Sequence, residues 1–414
     1  MTIEAALVGA GQRGHHVYGR YALDHADRLR FTAVVDPDPA RRARFGDAHS
    51  LAEVARYETI EQLLADRVPV AAVVASPDRA HADDALQLVD ADVAVLVEKP
   101  MASSPDAAAR LAAASDRGML QVAHVLRSTV FFDAVHEIVT SGRLGDIVTA
   151  LHTENVVAWH MAHSFVRGNW GRSAEATPMI VQKCCHDLDV LAWNLPEPVE
   201  RVSSFGALRH FRPEHAPEGA TARCTDGCEV VCPFDARTVY LDEARTGWPV
   251  HVITDDLSTE GRLEALRDGP YGRCVYQAGS DVVDHQVVAM EVGGGRSATL
   301  VMHGHSPREE RTVAYHGTAA SLTGVFGATS RLEVTDHRTG RVEPVSVDAP
   351  AGGHGGGDVG AIESFVSAVA SGGPVSTSAR DVLEGHLLAF AAEEARRSGE
   401  VIDMARYRRA HLPS

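Results

Sequence analysis

Short apolar runs rich in valine and alanine recur through the first 125 residues, at 5–8, 31–35, 70–75, 93–97 and 119–123. Runs of this length without polar alternation suit strands buried on both faces of a parallel sheet. Helical patterns lie between them, at 80–89 and at 104–115, the second with Pro105 in its first turn. Strand and helix in alternation predict an α/β fold with a doubly wound parallel sheet over residues 1–125. After residue 125 the texture changes. A helix is expected at 131–141, ended by Gly142, followed by β-rich stretches at 147–153, 202–205, 286–292, 298–303, 311–316 and 330–334. Turn residues separate these stretches, so residues 126–414 read as an α+β domain with a large, mostly antiparallel open sheet. Two more helices are expected at 360–371 and 379–398, and a glycine-rich stretch at 352–357 surrounds His354 as a linker or a loop near the site.

Length and composition narrow the function. A chain of 414 residues is long enough for two or three domains, and 45% hydrophobic with 23% charged residues is ordinary for a globular protein. Acidic residues outnumber basic ones, 56 to 39, for a net charge of −17. That field repels a phosphate backbone and no Lys/Arg-rich run offsets it, so nucleic acid is not an expected partner. The N-terminal residues 1–4 carry no basic or apolar leader, and no run of about 18 apolar residues occurs. Neither a signal peptide nor a membrane span is expected, which points to the cytoplasm. There, six cysteines read as thiols or metal ligands before disulfides.

Val8-Gly9-Ala10-Gly11-Gln12-Arg13-Gly14 follows the first strand and opens a helix. In that setting G-x-G-x-x-G predicts a dinucleotide site: Gly9 for the tight turn, Gly11 for close backbone approach to the pyrophosphate, Gly14 for helix–strand packing. Gln12 and Arg13 lie in the same loop, whose helix N-terminus offers free N–H groups to phosphate. Asp36 ends the second strand, 22 residues past Gly14. Its carboxylate suits ribose hydroxyls and repels a 2′-phosphate, favouring NAD, while the neighbouring Arg41 and Arg42 keep NADP in play. Ser76, Pro77 and His81 follow the third long run, at the sheet edge where ligands bind; the same stretch also reads as a helix-start turn capped by Asp78.

Glu98-Lys99-Pro100 closes the run at 93–97, and here the chain resembles the glucose–fructose oxidoreductase/inositol dehydrogenase/rhizopine-catabolism (Gfo/Idh/MocA) family. The resemblance extends to Leu126-Arg127 and to His186-Asp187-Leu188-Asp189 on a helix. It implies an N-terminal Rossmann domain, a C-terminal open-sheet domain, and an NAD(P)-dependent dehydrogenase or reductase acting on a carbinol of a sugar, sugar derivative or cyclitol. It also implies that Glu98 and Lys99 sit beside the cofactor, with Lys99 orienting the reacting hydroxyl and stabilising alkoxide charge. Where the family usually has Asp four residues before His, this chain has Gln182 before His186. Gln182 can neither take a proton nor supply charge. His186 is expected as general base, with Lys183, three residues before it on one helix face, as the compensating group. Lys183 also reads as a surface partner of Asp187 or Glu200. Asp189 reads as a substrate contact or a structural pair, and Arg127 as a substrate contact. The stretch 159–170 adds His160, His163, Arg167, Asn169 and Trp170, a mixture of hydrogen-bonding groups and indoles suited to polyols.

Cys224, Cys228 and Cys232 sit at even spacing in an insertion beyond the plain family pattern, and suggest a structural zinc or an iron–sulfur cluster with Cys274 as a fourth ligand; three ordinary cysteines are the alternative. Two other functions stay open: a glycoside-cleaving enzyme using tightly held NAD for transient oxidation, and a non-catalytic sensor of cofactor and sugar. A homodimer or homotetramer is expected from the family's exposed sheet face.

Overall fold

The computed structural model describes residues 1–348 and 353–412. Gly352, the first residue of the glycine-rich stretch, lies outside them. The first sheet is parallel and contains β1 (Ile3–Val8), β2 (Leu29–Val35), β3 (Arg56–Tyr57), β4 (Ala71–Val74), β5 (Ala94–Val97) and β6 (Leu120–Val122). The strand order is β3-β2-β1-β4-β5-β6. Residues 71–74 are completely buried, as expected for a central parallel strand covered on both faces. The order reverses between β1 and β4, which places the crevice for a ligand at their C-terminal ends. The five apolar runs all become strands; β3, only two residues long, leaves too little pattern to read.

Helices cover the first sheet. Pro39–Ala48 and Ser104-capped Pro105–Ala114 both place proline in their first turn. The helix opened by the glycine loop is wound as a π-helix over Gly14–Gly19 before becoming α-helical. A late helix, Gly357–Ser371, returns to this sheet, and its Ala361, Ile362, Phe365 and Val366 share a core with Leu7, Phe31 and Val73. It therefore packs with the N-terminal domain, although sequence order places it in the C-terminal one.

The second sheet is nine-stranded: β7 (Ile147–Val157), β8 (Val199–Ala207), β9 (His285–Val292), β10 (Arg296–Ser306), β11 (Glu310–Gly317), β12 (Ala320–Gly327), β13 (Arg331–Asp336), β14 (Val342–Val345) and β15 (Ile402–Asp403). All its pairings are antiparallel except β7 with β10. Along β11 burial alternates residue by residue, so one face meets helices and the other is open. The covering helices are Val130–Thr140, Met179–Asn194 and Leu383–Ser398. Met179–Asn194 is buried along most of its length and carries His186 towards the first sheet. Between β8 and β9 the chain makes a long excursion, residues 208–284, of loops and short helices.

Candidate active site

The glycine loop is built for close backbone approach. Gly9 has φ +89°, and a Cβ there would lie 2.5 Å from the Ser76 backbone nitrogen. A Cβ on Gly14 would lie 1.9 Å from the Gly9 carbonyl oxygen, so helix and strand can meet only with glycine. A Cβ on Gly11 would meet nothing within 4 Å. The space beside Gly11 is therefore open to a ligand, and the loop fits a dinucleotide phosphate. Asp36 is buried at the end of β2; its carboxylate accepts from the Ala10 N–H at 2.8 Å and the Asp38 N–H at 2.9 Å. Arg41 turns to Asp38, and Arg42 donates to the Asp36 carbonyl.

Arg13 does not point freely to solvent. It donates to Glu98 at 2.5 Å and to Asp358 at 2.8 Å, while the Tyr18 hydroxyl donates to Glu98 at 2.8 Å. Burial pushes the Glu98 carboxyl up, but the cations of Arg13 and Lys99 outweigh it and hold the group below its ordinary value. Glu98 thus anchors the loop rather than offering a free carboxylate. His81 spans the Pro100 carbonyl (2.8 Å) and the Ser76 carbonyl (2.7 Å), and Ser76 Oγ donates to Asp84. These contacts tie the Ser76-Pro77 turn to the Lys99 turn, whose Lys99–Pro100 bond is cis.

Lys99 leaves the end of β5 and meets the helix of His186. Its Nζ donates to the Gln182 carbonyl at 2.9 Å. His186 is 3% exposed, and neither ring nitrogen has a partner within the protein. Burial, followed by the charges of Lys99, His124 and His354, pushes its pKa well below 6.5. A buried, neutral imidazole with a free lone pair beside an ammonium is a proton acceptor facing a charge stabiliser. The Gln182 side chain is also buried, with its Oε1 unpartnered. Asp189 lies 3.1 Å from His124 Nδ1, and the His124 ring stands 5.2 Å from that of His186. His354 closes the far side, its ring 6.2 Å from His186 and its Nδ1 bonded to Asp358.

Lys183 occupies a different environment from its expected one. Its ammonium lies 3.2 Å from Glu154 and 3.1 Å from Glu309, and Arg311 joins Glu154 to Asp187, which His152 also holds. Burial lowers the Lys183 pKa, but the two carboxylates more than reverse this and raise it above its ordinary value. A lysine held charged this way cannot serve as a base, and its partners are Glu154 and Glu309 rather than Asp187 or Glu200. Glu309 also accepts from the Val157 N–H and bonds His160 Nδ1 at 3.0 Å.

Of the remaining candidates, Arg127 and Asp189 bind each other through two 2.7 Å hydrogen bonds, and Arg127 lies over Trp193. They form a structural pair behind His186, with neither left free for a sugar. Arg167 is buried and donates to the carbonyls of Arg273 and Phe234, which removes it from hydroxyl recognition. Asn169 is exposed, and Trp170 donates to Asp78. His163 is buried, bonded to the Tyr240 hydroxyl at 2.6 Å and stacked on Tyr271; burial pushes its pKa down to about 3. His160 stands edge-on to Trp248 at 4.8 Å. Tyr240, Trp248 and Tyr271 come from the 208–284 excursion, which sequence reading did not place at the site. The same excursion reaches the nucleotide motif. His251 lies 2.6 Å from Gln12 and stacks on His16, and Asp255 pairs with Arg44.

Residues 3–124 match the Gfo/Idh/MocA oxidoreductase family described as having an NAD-binding Rossmann fold, and residues 136–404 match that family's C-terminal alpha/beta domain. The chain belongs to this oxidoreductase family. It is 24% identical over 353 residues to the Bacillus subtilis oxidoreductase YteT, covering 79% of each chain. It is 32% identical over 212 residues to an inositol 2-dehydrogenase of Rubrobacter xylanophilus, covering 48% of this chain and 54% of the other. Among solved structures, levoglucosan dehydrogenase in complex with NADH and L-sorbose shares the fold with a TM-score of 0.71 at 16% identity, over 97% of this chain and 99% of that one. An Agrobacterium radiobacter oxidoreductase in complex with NAD+, L-tartaric acid and magnesium gives 0.69 at 16% identity, over 98% and 99%. The protein is thus an NAD-binding oxidoreductase, and among the described residues no helix is long and apolar enough to cross a membrane.

Proposed function

We propose that the protein transfers a hydride between NAD(H) and a carbinol carbon of a sugar, sugar derivative or cyclitol. The observation that carries this reading is His186: buried, neutral, unpartnered at both nitrogens, and set beside Lys99 at the C-terminal edge of β5. NAD, when bound, supplies the hydride acceptor. Lys99 holds the substrate oxygen and favours its anionic form, and His186 takes the hydroxyl proton. Trp159 and His160 pack on Trp248 and offer the aromatic and polar surface a polyol needs. The relatives named inositol 2-dehydrogenase and levoglucosan dehydrogenase support that class. The buried Asp36 anion, with Arg41 and Arg42 turned to Asp38 and to a carbonyl, favours NAD over NADP.

A second reading has one observation in its favour. The His251 contacts to Gln12 and His16 and the Arg44–Asp255 pair lay the excursion against the nucleotide motif, an arrangement suited to retaining NAD through repeated turnovers. Such retention fits a redox-neutral cleavage of glycosides. A panel of free polyols, aldoses and glycosides with NAD and NADP separates the two. Stoichiometric NADH from a free sugar is the expected result; glycoside turnover with no net NADH assigns the second reading, and retention of cofactor without any turnover assigns a sensor.

Leu151, Phe205 and Val287 are exposed apolar residues on the open face of the second sheet, Phe205 and Val287 directly opposite each other. They support a homo-oligomer formed through that face. Six cysteines without a disulfide among them suit a cytoplasmic setting.

A further inference from the structure

Four of the six cysteines gather within the 208–284 excursion, Cys224 in a small satellite core and Cys274 in the main one. Cys224, Ala236, Tyr240, Val250 and Leu266 form a small buried cluster of their own. Cys224, Cys228, Cys232 and Cys274 all line one cavity, together with apolar groups such as Val230 and Phe234 and with Arg167, Thr221 and Asp235. Cys274 is far from the others in sequence. It is brought in by an antiparallel bridge in which the Cys274 N–H donates to the Ala222 carbonyl at 2.8 Å and the Cys224 N–H to the Gly272 carbonyl at 2.9 Å.

Two of the four sulfurs receive N–H donors. The Phe234 N–H donates to Cys232 Sγ at 3.4 Å, and the Ala236 N–H to Cys224 Sγ at 3.5 Å. Arg167 donates to Cys224 Sγ at 3.6 Å. At Cys232 the donor lies two residues beyond the cysteine, so the short turn folds its amide back onto its own sulfur. A neutral thiol is a weak acceptor and does not need such donors, whereas a thiolate does. Thiolates in that setting call for a cation, and N–H groups around ligand atoms are the usual outer support of a metal site.

We propose that Cys224, Cys228, Cys232 and Cys274 together bind one thiophilic metal centre, a zinc ion or an iron–sulfur cluster, that staples the excursion over the active site. Among the described residues, the group of three whose ligand atoms lie within 4.8 Å of one another is elsewhere, at His124, Cys185 and His386. That group is committed already: His386 accepts from the Met101 N–H and donates to the Val382 carbonyl. The four cysteines instead ring a cavity. Among the described residues no three of these four sulfurs lie within 4.8 Å of one another, so a single zinc ion requires them to close in, while a cluster needs less closure. The staple bears on function because Arg167 links Cys224 to the segment carrying His160 and His163, and because Tyr240, Trp248 and His251 sit on the stapled excursion.

The test is the metal content of the full-length protein, purified without oxygen or chelator, with zinc, iron, acid-labile sulfide and free thiols counted per chain. About one zinc without sulfide, or iron with matching sulfide, is expected, and Cys228→Ser or Cys232→Ser should lose it. Metal removal from the wild type should speed proteolysis within 208–284, a reading independent of activity and of whether the variants fold. Less than about a tenth of an equivalent of both metals, or the four thiols found as disulfides, overturns the proposal.

Discussion

His186→Ala should lower kcat by about 10²–10⁴-fold, the usual cost of removing a general base, with NAD affinity little changed. The expectation follows from where the imidazole sits. It is closed off from solvent, has no partner in the protein, and keeps a lone pair free. Burial first, then the neighbouring charge of Lys99, keeps it neutral well below pH 6.5. The wild-type kcat/KM should therefore stay level as pH falls through 6.5 and decline only at lower pH, where His186 at last takes a proton. A decline centred at 6.5 contradicts this environment. Lys183→Met is the control. Breaking a buried ion pair typically costs about 3–5 kcal/mol, so this variant should lower Tm more than kcat. If His186→Ala keeps more than about half of the wild-type kcat while Lys183→Met abolishes it, the base is misassigned.

Lys99→Met should cost about 10²–10³-fold in kcat, the typical loss on removing one charge-stabilising donor. Lys99 is positioned from two sides: its own strand end at β5, where its N–H donates to Glu98 at 3.1 Å, and the Gln182 carbonyl that receives its ammonium. Methionine keeps the length and apolar stem but removes the cation, so the fold and the glycine loop should persist. The loss should fall on kcat, with the fluorescence-measured Kd for NAD within a few-fold of wild type. An equal loss in cofactor binding and kcat assigns Lys99 to holding the dinucleotide instead.

The first sheet was legible because its strands are buried on both faces and leave unbroken apolar runs such as 71–74, and the glycine motif was legible because its spacing has a steric reason at Gly9 and Gly14. The second sheet was read through its alternating strands. β12 escaped because Gly324, Gly327 and two hydroxyl residues dilute its pattern, and β14 and β15 because they are short. Side-chain roles were harder. Arg127 with Asp189, and Arg167 with the carbonyls of Phe234 and Arg273, are partnered across 62 to 106 residues, and no local spacing announces such a pair. Glu154, Glu309 and Arg311, which claim Lys183, lie on β7, at the turn before β11, and on β11, adjacent only once the sheet has formed. Asp358, four residues after His354, was the one missed member with a local signal, an i,i+4 pair beside the glycine stretch. The 208–284 excursion gave no periodicity to place it, and its Tyr240, Trp248 and His251 reach the site only through tertiary packing.

The central claim, hydride transfer at the Lys99–His186 site, is tested most directly by the fate of one hydrogen. A polyol or aldose that turns over in the screen, carrying deuterium on the reacting carbinol carbon, is mixed with excess enzyme and NAD, and the nicotinamide is examined by mass spectrometry after a single turnover. The account predicts deuterium on the nicotinamide with wild-type protein, and strongly slowed transfer with Lys99→Met and His186→Ala. Product formation with no deuterium reaching the nicotinamide, or transfer at the wild-type rate in both variants, would contradict it.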